Sequence, residues 1–104
     1  MQPRELAKQI QQEKIPCVLD VRSRFEFESG HIPGAVHAPL GRILLRRAAL
    51  PRDREARIVV TCELGPRAAV VAALLRIFGY RNIEMLDGHM ATWRRAGLPM
   101  EREA

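Results

Sequence analysis

Residues 57–67 constrain this chain more than any other stretch. Arg57-Ile58-Val59-Val60-Thr61 is rich in β-branched side chains and reads as a strand. It runs without a linker into Cys62-Glu63-Leu64-Gly65. Pro66 then opens a strongly helical segment, Arg67 to Phe78, which Gly79 ends. A strand that passes through a short loop straight into a helix is the first half of a parallel crossover. An unbroken apolar run such as Ile58-Val59-Val60 suits a strand covered on both faces.

The remainder of the chain repeats that alternation. Pro3 to Lys14 reads as a helix, with proline near its start and Leu6, Ile10 and the stem of Lys14 at helical spacing. Pro16 to Val21 is a short apolar strand, and Phe25 to Ser29 allows one helical turn before Gly30. Gly30-His31-Ile32-Pro33-Gly34-Ala35 is a turn by its glycines and proline, followed by a very short strand, Val36-His37-Ala38. Leu40 to Ala49 carries a helical apolar pattern that ends at Leu50-Pro51. Asn82 to Leu86 makes another short strand. Asp87-Gly88 then turns into a last helix from Met90 to Ala96, closed by Gly97 and Pro99. Strands alternating with helices throughout predict an α/β fold with a parallel sheet covered on both faces. With 104 residues and no repeat, linker or low-complexity segment, the expectation is one domain over residues 1–104.

Composition narrows the function. Hydrophobic residues make up 47% and charged residues 28%, which excludes disorder as an explanation for the chain. The net charge of +5 comes mostly from arginines scattered from Arg4 to Arg102, with Lys8 and Lys14 the only lysines. No block of five or six like charges occurs and aromatic residues are few, so a solvated surface is expected rather than a nucleic-acid site. Cys17 and Cys62 make no disulfide framework, and no CxxC or Cys/His metal spacing appears. The segment MQPRELAKQIQQEK lacks the apolar stretch of a leader, and no run is long enough to span a bilayer. A reducing cytoplasm, no membrane partner, no metal and no cofactor are the corresponding expectations.

In parallel folds, ligands bind beyond the carboxyl ends of the strands, and Cys62 is the first residue after the clearest strand. Loop N–H groups and the start of the following helix converge there and favour a thiolate, the form that acts as a nucleophile. The same cradle suits a persulfide or an oxyanion. Gly65 allows the positive φ of a tight concave loop, and Pro66 fits the first helical position at the loss of one donor. Arg67 closes the loop with a fixed positive charge.

These residues carry a family resemblance. Cys62-Glu63-Leu64-Gly65-Pro66-Arg67 resembles the six-residue active-site loop of rhodanese domains, which often reads C-x-x-G-x-R. Leu19-Asp20-Val21-Arg22, Glu26-Phe27 and Gly30-His31-Ile32-Pro33-Gly34-Ala35 resemble the family's N-terminal signature. Asp87-Gly88 through Trp93, followed by Ala96-Gly97-Leu98-Pro99, resembles its C-terminal one. The resemblance implies a three-layer α/β/α domain with a central, mainly parallel sheet of four to five short strands. It also implies a sulfurtransferase that takes a sulfane sulfur from thiosulfate or a persulfide onto Cys62 and passes it to a thiol or cyanide. Residues 63–67 form the substrate loop, and Asp20 and Arg22 support it. Phosphatase and arsenate-reductase relatives have loops one residue longer, so the loop here suits sulfur.

Three departures are informative. Glu63 and Leu64 stand where thiosulfate-using members usually place a basic residue. A carboxylate there is expected to repel a dianion and favour a persulfide donor. His89 occupies a position commonly held by a second glycine, and histidine tolerates the left-handed region better than most residues. The family's usual first strand would precede Pro3, so that sheet edge is expected to be shortened or absent.

Each functional reading has a structural counterpart. Cys17, at the amino end of its strand, is expected to be a packing residue. Asp20 and Arg22 are expected to hold a loop by hydrogen bonds and ion pairs, with Glu26 as a partner for Arg22. His31 is expected to fix turn geometry, His37 has no recognisable partner, and Trp93 belongs to the core. Beside the enzyme stands a second reading, a low-turnover sulfur-delivery or sensing module acting through a protein partner in a sulfur relay.

Overall fold

The computed structural model describes residues 1–13, 16–45 and 50–102. Lys14, at the end of the first expected helix, and residues 46–49 of the third lie outside the described residues.

Among the described residues, four strands form one all-parallel sheet in the order β2-β1-β3-β4: β1 (Cys17–Asp20), β2 (Val36–His37), β3 (Ile58–Thr61) and β4 (Ile83–Met85). Leu19 of β1 stands opposite Val36 on one side and Val60 on the other, and Val60 stands opposite Met85. β3 is therefore interior, and all four of its residues are buried. The helices described alternate with the strands: α1 (Pro3–Gln11), α2 (Arg24–Ser29), α3 (Leu40–Leu44), α4 (Pro66–Ile77) and α5 (His89–Arg95).

Period-two alternation in the strands divides the core into two layers. Leu19, Ile58 and Val60 face one way, against Ile43 of α3 and Ala68, Val71 and Leu75 of α4. Val18 and Val59 face the other way, against Leu6 of α1 and Met90 and Trp93 of α5. The sequence alternation thus yields the α/β/α sandwich. α4 buries Ala68, Val71, Ala72 and Leu75, the i, i+3, i+4, i+7 stripe of a helix packed along one side. Trp93 is fully buried, with its indole N–H donating to the Pro99 carbonyl at 2.9 Å.

No strand precedes α1 among the described residues. Instead, the Met1 amino group donates to the Met85 carbonyl at 2.9 Å, and the Met1 carbonyl accepts from the Asp87 N–H at 2.9 Å. One residue therefore covers the end of the β4 edge.

Candidate active site

β3 delivers Cys62 to the carboxyl edge of the sheet, and the loop that follows turns back over it. The turn is made at Gly65, whose φ of 128° lies in a region that side chains strongly disfavour. That conformation aims the Gly65 N–H at the cysteine, and it donates to Cys62 Sγ at 3.0 Å. Cys62 itself is buried, whereas Leu64 on the outside of the loop is 75% exposed.

The loop carbonyls point the opposite way, into the start of α5. That helix has Gly88 as its N-cap and no side-chain cap. Its free N–H groups are bound by the loop instead: Met90 N–H donates to the Cys62 carbonyl at 3.0 Å and Ala91 N–H to the Glu63 carbonyl at 3.2 Å. Helix-end donors that need partners thus brace the loop, leaving the Gly65 N–H for the sulfur. The Cys62 N–H also has a partner on α5, donating to His89 Nδ1 at 3.3 Å.

The charged rim is organised in pairs. Arg67 is held by Glu26: its two terminal nitrogens donate to the two Glu26 oxygens at 2.7 and 3.0 Å. This bidentate pair drives the Glu26 carboxyl down to about 2, and Glu26 in turn raises the Arg67 guanidinium. Glu26 also closes a capping box with Ser23 at the start of α2. Ser23-Arg24-Phe25-Glu26 was the sequence signal that could have assigned Glu26 to its helix end.

Arg22 consequently has partners other than the expected Glu26. Its Nη2 donates to Asp20 Oδ2 at 2.8 Å and to the Gly30 carbonyl at 2.7 Å, and Nη1 reaches Glu63 Oε1 at 3.4 Å. Asp20 and Arg22 are both buried, so each supplies the countercharge that the other's burial requires. Together they tie the end of β1 to the Gly30 turn and to the cysteine loop.

Glu63 is not an isolated charge. Its carboxylate lies between Arg22 and Arg94, with Arg94 Nη1 donating at 2.8 Å and Nη2 at 3.2 Å. The Arg94 hydrogen bonds hold its carboxyl below the usual range. Both guanidinium groups offset the Glu63 charge. Arg94 has no local sequence signal, because only the packing of α5 against the loop brings it there.

Cys17 lies half-buried at the opposite end of β1, where burial raises its thiol. His31 holds the turn, its Nδ1 donating to the Phe27 carbonyl at 2.8 Å and its ring stacked on Phe27 at 3.8 Å. His37, expected to be unpartnered, donates through Nε2 to the Arg22 carbonyl at 2.8 Å and also stacks on Phe27. Among the described residues, no three His, Cys, Asp or Glu side chains come together in a way that could hold a metal, and no helix is long and apolar enough to cross a membrane.

Parallel sheet and cysteine loop together define an α/β domain with a thiol at the carboxyl edge of an interior strand. A model of the rhodanese-like domain matches residues 2–96, and the chain belongs to that family. It is 34% identical over 83 residues to a sulfurtransferase of Allochromatium vinosum, covering 80% of this chain and 76% of that protein. It is 34% identical over 76 residues to a putative sulfur carrier protein of Bacillus subtilis, covering 73% and 40%. Among solved structures, a thiosulfate sulfurtransferase from Pseudomonas aeruginosa superposes with a TM-score of 0.88 at 28% identity, covering all of this chain and 20% of that one. The chain spans less than half the length of some curated relatives that it matches.

Proposed function

We propose that this domain is a sulfurtransferase that carries a sulfane sulfur on Cys62 as a persulfide. The supporting observation is the hydrogen bond from Gly65 N–H to Cys62 Sγ at 3.0 Å, made in a loop at the carboxyl edge of the interior strand. In the first step Sγ attacks the outer sulfur of thiosulfate or a persulfide. The donor's S–S bond breaks, sulfite or a thiolate leaves with the electron pair, and a Cys62 persulfide forms. In the second step a thiolate or cyanide attacks the outer sulfur, the new S–S bond breaks, and the Cys62 thiolate is regenerated. No external oxidant or reductant is consumed.

Burial of Cys62 fits this division of labour. The persulfide's reactive atom stands one S–S bond, about 2 Å, further out than Sγ, so the acceptor meets sulfur nearer the rim. The loop N–H and the amino end of α4 stabilise negative charge on either sulfur. A sulfur-relay partner, as the alternative to a free small acceptor, is favoured by the exposure of Leu64 on the loop and by the sulfur carrier among the relatives.

The test is transfer from thiosulfate or glutathione persulfide to cyanide by wild type, Cys62→Ser and Cys17→Ser. Cys62→Ser is expected to abolish transfer and Cys17→Ser to retain most of it. Equal loss in both variants, with folding intact, would assign the chemistry to the cysteine pair instead.

A further inference from the structure

His89 is not explained by the reaction as written, and its geometry is unusual in two respects. It is the first residue of α5 and adopts φ of 54°, directly after Gly88 at φ of 71°. A non-glycine residue in the left-handed region carries a conformational cost, and such costs persist where the surroundings impose them. The side chain is also buried beneath the cysteine loop.

The ring is bonded to one end of the loop's key hydrogen bond and stands beside the other. At one edge, Nδ1 accepts the Cys62 N–H at 3.3 Å. At the opposite edge, Nε2 and Cδ2 lie 3.1 and 3.3 Å from where a Cβ on Gly65 would stand. Cys62 bears the sulfur, and Gly65 donates the N–H that reaches it. A backbone N–H can only donate, so Nδ1 must be unprotonated and the neutral ring carries its proton on Nε2. Burial acts in the same direction by lowering the imidazole's affinity for a proton, while Asp87 opposes it.

We propose that His89 is a positioning residue for Cys62: its neutral imidazole holds the Cys62 main chain through Nδ1, from a place beside Gly65 where a Cβ would stand, and so keeps the Gly65 N–H aimed at the sulfur. The Cys62 peptide is then clamped on both sides by the start of α5, at its N–H by the His89 ring and at its carbonyl by the Met90 N–H. The left-handed turn at Gly88-His89 is what swings the ring under the loop. The proposal rests on Cys62 being the reacting group, and it adds a residue that acts through Cys62 rather than on substrate.

The test is alkylation of Cys62 by iodoacetamide at fixed neutral pH, resolved by peptide mass spectrometry, in wild type, His89→Gly and His89→Asn. Glycine suits the left-handed backbone but removes the acceptor. Asparagine tolerates the same backbone and offers a side-chain oxygen in its place. Loss of an oriented hydrogen bond to a charged sulfur is expected to slow His89→Gly about tenfold, with most of the rate restored in His89→Asn. Nitrogen NMR of the wild type should show the Nε2-protonated tautomer at His89.

Wild-type rates in both variants would mean that backbone shape alone suffices, and equal slowing in both would mean that the ring only fills space. Either result overturns the proposal. If His89→Gly does not fold, the tautomer decides, because an Nδ1-protonated ring cannot accept the Cys62 N–H. Iodoacetamide reports the thiol and not sulfur transfer. An absence of transfer alongside the expected alkylation pattern would count against the sulfurtransferase reading and leave the role of His89 standing.

Discussion

Glu63 shows how much a neighbouring side chain can change the meaning of a residue. One position from Cys62, its carboxylate stands between Arg94 and Arg22, which offset its charge. At an effective dielectric near 20, two unit charges about 6 Å apart interact by ~3 kcal/mol. The half-exposed Arg94–Glu63 pair is screened well below that, leaving about 1 kcal/mol or less. Arg94→Ala should therefore lower kcat/KM for thiosulfate up to about fivefold, with little change for a neutral sulfane-sulfur donor and a smaller difference at high salt. The donor ratio measured in wild type and variant checks this. An unchanged ratio at low salt would mean that the Glu63 charge does not reach the donor.

At the scale of elements, the loop works because β3, α4 and α5 meet at it. The β3–Cys62–α4 unit was readable in the sequence, since β-branched residues, a glycine and a helix-opening proline occur in consecutive positions. The positive φ expected at Gly65 is present. Contacts between distant segments were less readable. Arg67 pairs with Glu26, 41 residues earlier, and Arg94 with Glu63, 31 residues earlier, and neither spacing carries a local pattern. The expected Arg22–Glu26 pair does not form, because the capping box and the bidentate Arg67 occupy that carboxylate. Gly65→Val tests the loop as an element. The new side chain would resist φ of 128° and its Cβ would press on His89 at 3.1 Å. The Cys62 alkylation rate is expected to fall by an order of magnitude or more at a urea concentration and temperature where circular dichroism shows a folded variant. Full reactivity would mean that the N–H geometry at Gly65 is not what activates the sulfur.

For the molecule as a whole, the Glu26–Arg67 pair joins α2 to α4 across the site and links stability to pH. The Glu26 carboxyl is held at about 2 against an ordinary value of 4.5. Its contribution is therefore complete above about pH 4.5 and is lost as the pH falls towards 2. Urea midpoints for wild type and Glu26→Gln should differ most above that window and converge as it is crossed downward. A constant difference across it would mean that the pair adds nothing specific to the charged form. The sandwich around this pair followed from the strand–helix alternation, whereas the Met1 pairing at the β4 edge depends on contacts that no local pattern encodes. The central claim is that sulfur rides on Cys62, and intact-mass spectrometry tests it most directly. After incubation with thiosulfate or glutathione persulfide, wild type should gain one sulfur atom, lose it to cyanide or a thiol, and locate it on the peptide containing Cys62. A wild-type mass that stays unchanged with every donor, or a sulfur found on Cys17, would contradict the account.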